Sequence, residues 1–496
     1  MTRKFAFLAC SATLLLTQVP ARADTLQAAL QAAYDNNPTL SAQRAAVRAA
    51  DEGVPQALAA GRPTLEGSAT YQENLLRGVP AGGGFFSNPQ RQVVGQVNLT
   101  VPLITFGAVR NSVRAAKSRV EASRMGLRGT ESELFTNVVG AYMDVLRDEA
   151  VVQLNERNTE VMRFTLQETG ERRTAGNRGP TDVAQAEARL ALAESQLETA
   201  RAQLVSSREN YIRLVGRPPG QLEEPQVLPN LPATVTGAVS TAIANNQELS
   251  AARAELTAAG FEADAAQAAR LPRVSGVGSV NQYDYLGSLA QGTGPRNMDQ
   301  GTTAFVGMRL DVPLFDGGRQ ASQVRQARAR QEQTGEQVIA AERAVVAQAR
   351  SAYATWQAAS KVTETARRGV DANVRVLTGL RAETAAGFRP LLDRLNAEQE
   401  LLNAQVTLVT ARRDAYVAGF ALLASMGLAE ARNLNFDSGA LYDPVVNYED
   451  VKGLLLDWNP DPARPAQGTS TAETPPQDAL VAPPAVPPVP QIPARQ

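Results

Sequence analysis

The chain has 496 residues, 44% hydrophobic and 20% charged, with a formal net charge of -1. That balance gives no electrostatic reason for a nucleic-acid partner. It has no histidine and one cysteine, Cys10, which excludes an imidazole base, a Cys/His zinc site and an internal disulfide. The glycine-rich stretches at 82–84 and 292–294 carry no adjacent Lys-Ser/Thr pair, so no phosphate loop is supported. No enzymatic reaction, cofactor or metal is expected.

Residues 1–23 read as an export signal. Arg3 and Lys4 precede an apolar run, and Ala21-Arg22-Ala23 is a cleavage motif before Asp24. Beyond it no apolar run is long enough for a membrane-spanning helix. An exported soluble protein and an outer-membrane β-barrel both remain open.

From residue 24 the chain repeats itself. Asn36-Asn37-Pro38 is echoed by Asn245-Asn246-Gln247, and Leu99-Thr100-Val101-Pro102-Leu103 by Leu310-Asp311-Val312-Pro313-Leu314. The repeats are expected over 24–230 and 231–436, units too long for a solenoid. Strands are predicted at 64–73, 92–102, 273–284 and 303–313, where apolar and polar residues alternate. In the first, Leu65, Gly67, Ala69 and Tyr71 oppose Glu66, Ser68 and Thr70; Tyr283 and Tyr285 fall off register in the third. Segments of about 10 residues with this dyad have the length of outer-membrane strands.

Each hairpin is followed by a run without proline, 103–179 and 314–389, which permits very long helices. Val113, Val120, Leu127, Leu134 and Ala141 recur every seven residues, as do Val183, Leu190, Leu197, Leu204 and Tyr211. A helix of about 70 residues reaches roughly 100 Å. Helices alone also suit a soluble periplasmic coiled-coil adaptor or structural protein; the strands do not. Their connections, 74–90 and 286–301, are rich in Gly, Pro, Asn and Ser and read as exposed loops. A membrane sheet leaves no open edge, and the smallest bacterial barrels have about eight strands, so four strands must be completed by other copies. Residues 437–459 form a C-terminal segment. The stretch 460–496 holds 11 of the 29 prolines and is expected to be a disordered tail outside the packed body.

The order of these features, with Val-Pro-Leu followed by Phe106-Gly107 in one copy and by Phe315-Asp316-Gly317-Gly318 in the other, resembles the TolC family of outer-membrane export ducts over residues 24–436. The resemblance implies a mainly α protein with membrane β structure. Four strands per chain join a trimeric 12-stranded β-barrel, and the helices form a periplasmic α-barrel whose waist is wrapped by segments near 218–240 and after 431. Pro102, Gly107, Pro313, Gly317 and Gly318 would mark the strand-to-helix transitions. The duct would be passive and contact outer-membrane lipid. It would dock to a periplasmic adaptor and an inner-membrane transporter of ABC or RND type, for type I secretion or multidrug efflux.

The resemblance also implies a gate at the periplasmic tip. Asp182 matches a carboxylate that pairs with the arginine matching Arg389; Asp393 matches one aspartate of a constriction ring, and Asn396 replaces the second. Thr384 stands where the family has a tyrosine. Three copies of one carboxylate should still favour cations. Read without the family, Asp182 follows a glycine-containing break and suits a helix cap, while Arg389 and Asp393, four apart, suit a pair within one helix.

Overall fold

A computed structural model describes residues 24–75, 89–176, 179–288, 299–434, 441–455 and 464–481. The export signal and the centres of both hairpin loops lie outside these residues. The first half runs α1 (Leu26–Asn36), α2 (Pro38–Asp51), α3 (Gly53–Ala59), β1 (Thr64–Glu73), β2 (Arg91–Ile104), α4 (Ala108–Thr174) and α5 (Pro180–Val215). The second runs α6 (Val235–Asn245), α7 (Gln247–Ala268), β3 (Arg273–Asp284), β4 (Gln300–Asp311), α8 (Arg319–Ala385) and α9 (Leu391–Ser425), and α10 (Pro444–Val451) follows. The halves differ where α7 is continuous but its counterpart breaks into α2 and α3, at Gly53 and Pro55; proline removes a helical N–H and clashes with the preceding turn.

The long helices are built as their heptads dictate. α4 and α8 have 67 residues each, about 100 Å at 1.5 Å per residue. In α4 the seam residues Val120, Leu127, Leu134 and Ala141 are buried, and so are Ala186, Ala193, Leu197, Ala200 and Leu204 in α5. The main core gathers where the short helices wrap the long ones: Leu30, Tyr34, Leu40, Phe135, Val138, Tyr142, Leu204 and Tyr211, joined by Phe420 from the second half. A second cluster around Leu249, Val345, Tyr353 and Leu422 is its counterpart. Fully burying one such large apolar side chain contributes about 1.5–3 kcal/mol, so this belt fixes where the long helices cross.

The repeated asparagines explain themselves here. Asn37 caps α2 by accepting from the Thr39 N–H at 2.9 Å and donates to the Leu214 carbonyl at 3.0 Å. Asn246 caps α7 by accepting from the Leu249 N–H at 3.1 Å and donates to the Ser425 carbonyl at 3.3 Å. Each is buried and ties the second helix of its half to the end of the last.

The four strands form one antiparallel sheet in the order β1-β2-β3-β4. Its register lines up Leu65, Leu99, Gly278 and Val306 in one row, with Gly67, Val97, Val280 and Ala304 in the next of that face. The opposite face carries Glu66, Asn98, Ser279 and Phe305, then Ser68, Gln96, Asn281 and Thr303. There Asn98 accepts from Gln96 at 2.8 Å and from Ser279 at 2.9 Å. Tyr283 is accommodated by its cross-strand partner: Gly301 lies under its ring, where a Cβ would meet the hydroxyl at 2.5 Å. Among the described residues no helix is long and apolar enough to cross a membrane.

The C-terminal stretch departs from expectation. α10 packs on the first half, where Asn447 donates to Asp51 at 3.0 Å. Residues 464–481, expected outside the body, lie against α5 instead: Arg208 donates to the carbonyls of Asp478 at 2.8 Å and Leu480 at 3.0 Å, and the Gln477 N–H donates to Glu209 at 3.1 Å. Val481 adds its side chain to the main core. Composition reports proline content; it does not register carbonyls presented to an arginine on a distant helix.

Candidate functional site

Two places concentrate conformational demands and charge: the joints between sheet and long helices, and the tip where the helices turn back. At the first joint, Pro102 sits beside a bulge in the β2–β3 ladder, the register slipping between Pro102 and Ile104; proline has no N–H to give the ladder. Gly107 then starts α4 with φ +91°, after Phe106 at φ +45°. At the second joint β4 ends at Asp311, Pro313 lies beyond it, and Gly317 (φ +68°) and Gly318 (φ +87°) start α8. Both joints thus need two successive left-handed residues, a conformation costing most L-residues about 1–2 kcal/mol. The second meets the demand with two glycines and an Asp316 side chain accepting from the N–H groups of Gly318 and Gln320, at 3.1 and 2.9 Å. The first keeps a phenylalanine there.

At the tip, α4 ends with Gly176 at φ +77°, and α5 begins after Gly179 with Pro180 and Asp182 in its first turn. α8 ends in a glycine-centred motif: the Phe388 N–H reaches the Glu383 carbonyl at 2.9 Å and the Gly387 N–H reaches Thr384 at 3.2 Å, with Gly387 at φ +83°. Phe388 is 82% exposed at the turn. Arg389 bonds within its own hairpin, to Glu383 at 3.0 Å and to Asp393 at 3.6 Å. Asp393 stands in the first turn of α9, so the pairing is the local i,i+4 arrangement.

Asn396 does something the sequence did not disclose. It accepts a hydrogen bond from Arg189 of α5 at 2.6 Å, linking the second hairpin to the first across 207 positions. Beside it Arg394 reaches Glu168 of α4 at 3.4 Å, and Glu168 also holds Arg172 at 2.7 Å. Arg381 holds the buried Glu398 at 2.7 Å. Under these polar links Leu391 and Leu395 pack on Met162 and Ala193. Neither Arg189 nor Glu168 carries any local motif; only the distance between helices makes them partners.

Higher up, a second polar network joins the halves. Arg413 of α9 contacts Asp144 at 2.9 Å, Arg147 bridges Asp144 and Asp148, and Ser207 donates to Asp148 at 2.6 Å. Between the two levels a groove of about 670 Å³ opens, lined by Val151, Asn155, Gln196, Gln203, Leu402 and Asn403. A third network closes the belt. The buried Glu430 accepts from Arg128 at 2.8 Å and contacts Gln247 and Arg432. Glu131 beside it accepts from the Ala431 N–H at 2.6 Å. Burial pushes the Glu131 carboxyl above its ordinary range, with nearby Glu430 adding to the rise; the Ala431 N–H, Arg432 and Arg44 oppose it. Among the described residues no group of three or more His, Cys, Asp or Glu could hold a metal ion.

The sequence matches the family model described as outer membrane efflux protein over residues 29–217 and again over 238–428, one match per half. It is 32% identical over 440 residues to the outer membrane efflux protein BepC of Brucella suis biovar 1, covering 88% of this chain and 92% of the relative. It is 28% identical over 357 residues to the alkaline protease secretion protein AprF of Pseudomonas aeruginosa, covering 70% and 73%. In fold it is similar to the CmeC outer membrane channel of Campylobacter jejuni, with TM-score 0.70, 18% identity, and 86% and 89% of the two chains covered.

Proposed function

The chain belongs to the outer membrane efflux protein family as an outer-membrane channel for efflux or type I secretion, and we propose that it works as a homotrimer whose twelve strands close one barrel. The open sheet carries this reading. β1 and β4 are outer strands, yet one face bears Leu65, Val97, Leu99, Val306 and Met308, all exposed in the single chain. Such a face belongs in hydrocarbon, where an unpaired strand edge costs several kcal/mol per group. Pairing β4 of one copy with β1 of the next removes every edge. The helices argue the same way: α8 leaves Ile339, Val362, Val374 and Val376 exposed along its length, which suits packing against a second copy. A soluble coiled-coil adaptor has no use for the sheet. Native mass spectrometry of the detergent-extracted protein gives three copies on this reading; a folded monomer overturns it.

The tip residues Asp182, Arg389, Asp393 and Asn396 form the periplasmic gate in this account. The Arg189–Asn396 and Arg394–Glu168 contacts hold α9 against the first hairpin. Surface pairs contribute only about 0–1 kcal/mol each, so a few per copy make a latch that a docking partner can release. That partner is a periplasmic adaptor acting with an inner-membrane transporter of the ABC or RND type. A channel has no energy source of its own, so the pump drives the cargo.

A further inference from the structure

Asp24 stands immediately after the Ala21-Arg22-Ala23 motif, and all its polar groups are held. Its backbone nitrogen donates to the Gln221 carbonyl at 2.8 Å, and its own carbonyl accepts from the Tyr142 hydroxyl at 2.8 Å. One carboxylate oxygen accepts from Arg217 at 2.6 Å and the other from Tyr211 at 3.3 Å. The residue is 7% exposed, forms a parallel bridge with Leu222, and has Gly220 against its Cβ. The Tyr142 hydroxyl also lies 2.7 Å from the Glu223 carbonyl, so its one proton is shared between the two sides of the bridge. Burial raises both tyrosine hydroxyls well above their ordinary range.

The second half supplies an internal control. Tyr353 lies 211 positions after Tyr142 and Ala233 lies 209 after Asp24, and the Tyr353 hydroxyl donates to the Ala233 carbonyl at 2.9 Å. The same device therefore fastens the chain as it enters each half. In the second half the chain passes through Leu231-Pro232 into an alanine. In the first half the equivalent position has a carboxylate with an arginine and a tyrosine dedicated to it. The added ionic hold is found at the one copy that follows a cleavage motif.

Cleavage at the Ala21-Arg22-Ala23 motif frees the amine of Asp24, and we propose that the α-ammonium group so released docks on the Gln221 carbonyl as a structural element of the mature protein. Water adds across the peptide bond; Ala23 leaves with the new carboxylate and Asp24 keeps the amine, protonated below its ordinary pKa of about 7.7–8.0. An ammonium donor makes a stronger bond to the carbonyl than an amide does. A peptidase needs its substrate extended and accessible, and Asp24 once docked is neither. Processing therefore precedes docking. The inference is independent of the channel reading and of the gate.

The test is N-terminal sequencing of the full-length protein extracted from the outer membrane, followed by pulse labelling of its amines with an acetylating reagent, folded and in denaturant. Asp24 is expected as the first residue, with its α-amine labelled about tenfold or more slowly in the folded protein, as for a group exposed only by local opening. Arg217→Ala is expected to speed folded-state labelling with Asp24 still the first residue. A different first residue overturns the proposal, and so does an Asp24 amine that labels equally fast folded and unfolded.

Discussion

At the residue scale, the two asparagine caps are the clearest case of one side chain doing two jobs. Asn246→Ala removes a cap worth about 0.5–2 kcal/mol and leaves the buried Ser425 carbonyl without that donor. Thermal unfolding should fall by several degrees more than for Asn245→Ala, whose side chain only reaches back to Thr241 on its own helix. Glu131 makes a pH-dependent claim. Its carboxyl is raised on folding, so the folded state binds its proton more readily than the unfolded state. The resulting cost to stability is absent below the unfolded value of about 4.3 and grows as pH rises through the folded one. Glu131→Gln is therefore expected to raise the melting temperature at neutral pH, with the gain fading in acid; a gain that grows in acid contradicts this.

At the element scale, the sheet separates two environments by residue parity alone. Val306→Arg places a charge on the apolar face and should cost about 2–4 kcal/mol near mid-bilayer, read as loss of the membrane-inserted form. Thr303→Arg on the polar face should insert normally. The strands were legible in the sequence because alternation is a local signal: expected 64–73 and 273–284 agree with Thr64–Glu73 and Arg273–Asp284. The expected 303–313 begins three residues late and runs two past β4, because strand pairing with β3 decides the start and the ladder ends short of Pro313. The long helices were legible through proline absence and heptads. The latch was not. Arg189 and Asn396 meet only because α5 and α9 lie side by side, and no spacing within either helix predicts it. Within the chain Arg389 contacts Glu383 and Asp393 of its own hairpin.

At the scale of the whole molecule, the halves are alike in their elements and unlike in their burial. The first half wraps itself with α1 to α3, α10 and residues 464–481, and α4 buries much of its length. α8, of equal length, buries little beyond Val324, Val345, Ala349, Tyr353, Leu377 and Thr384. A lone chain therefore has one finished side and one unfinished side, together with a sheet open at both edges. A closed ring of copies answers both deficits at once. Its lumen would carry Glu66 and Asn98 in the barrel and Asp393 at the tip, so cation preference is expected to fall in Asp393→Asn.

The most direct test is single-channel recording of the purified protein in planar bilayers, wild type beside an Arg189→Ala/Arg394→Ala double variant. The account predicts a small, cation-selective wild-type conductance that rises in the variant as the tip opens. Absence of any current from folded, inserted protein in both forms would contradict it.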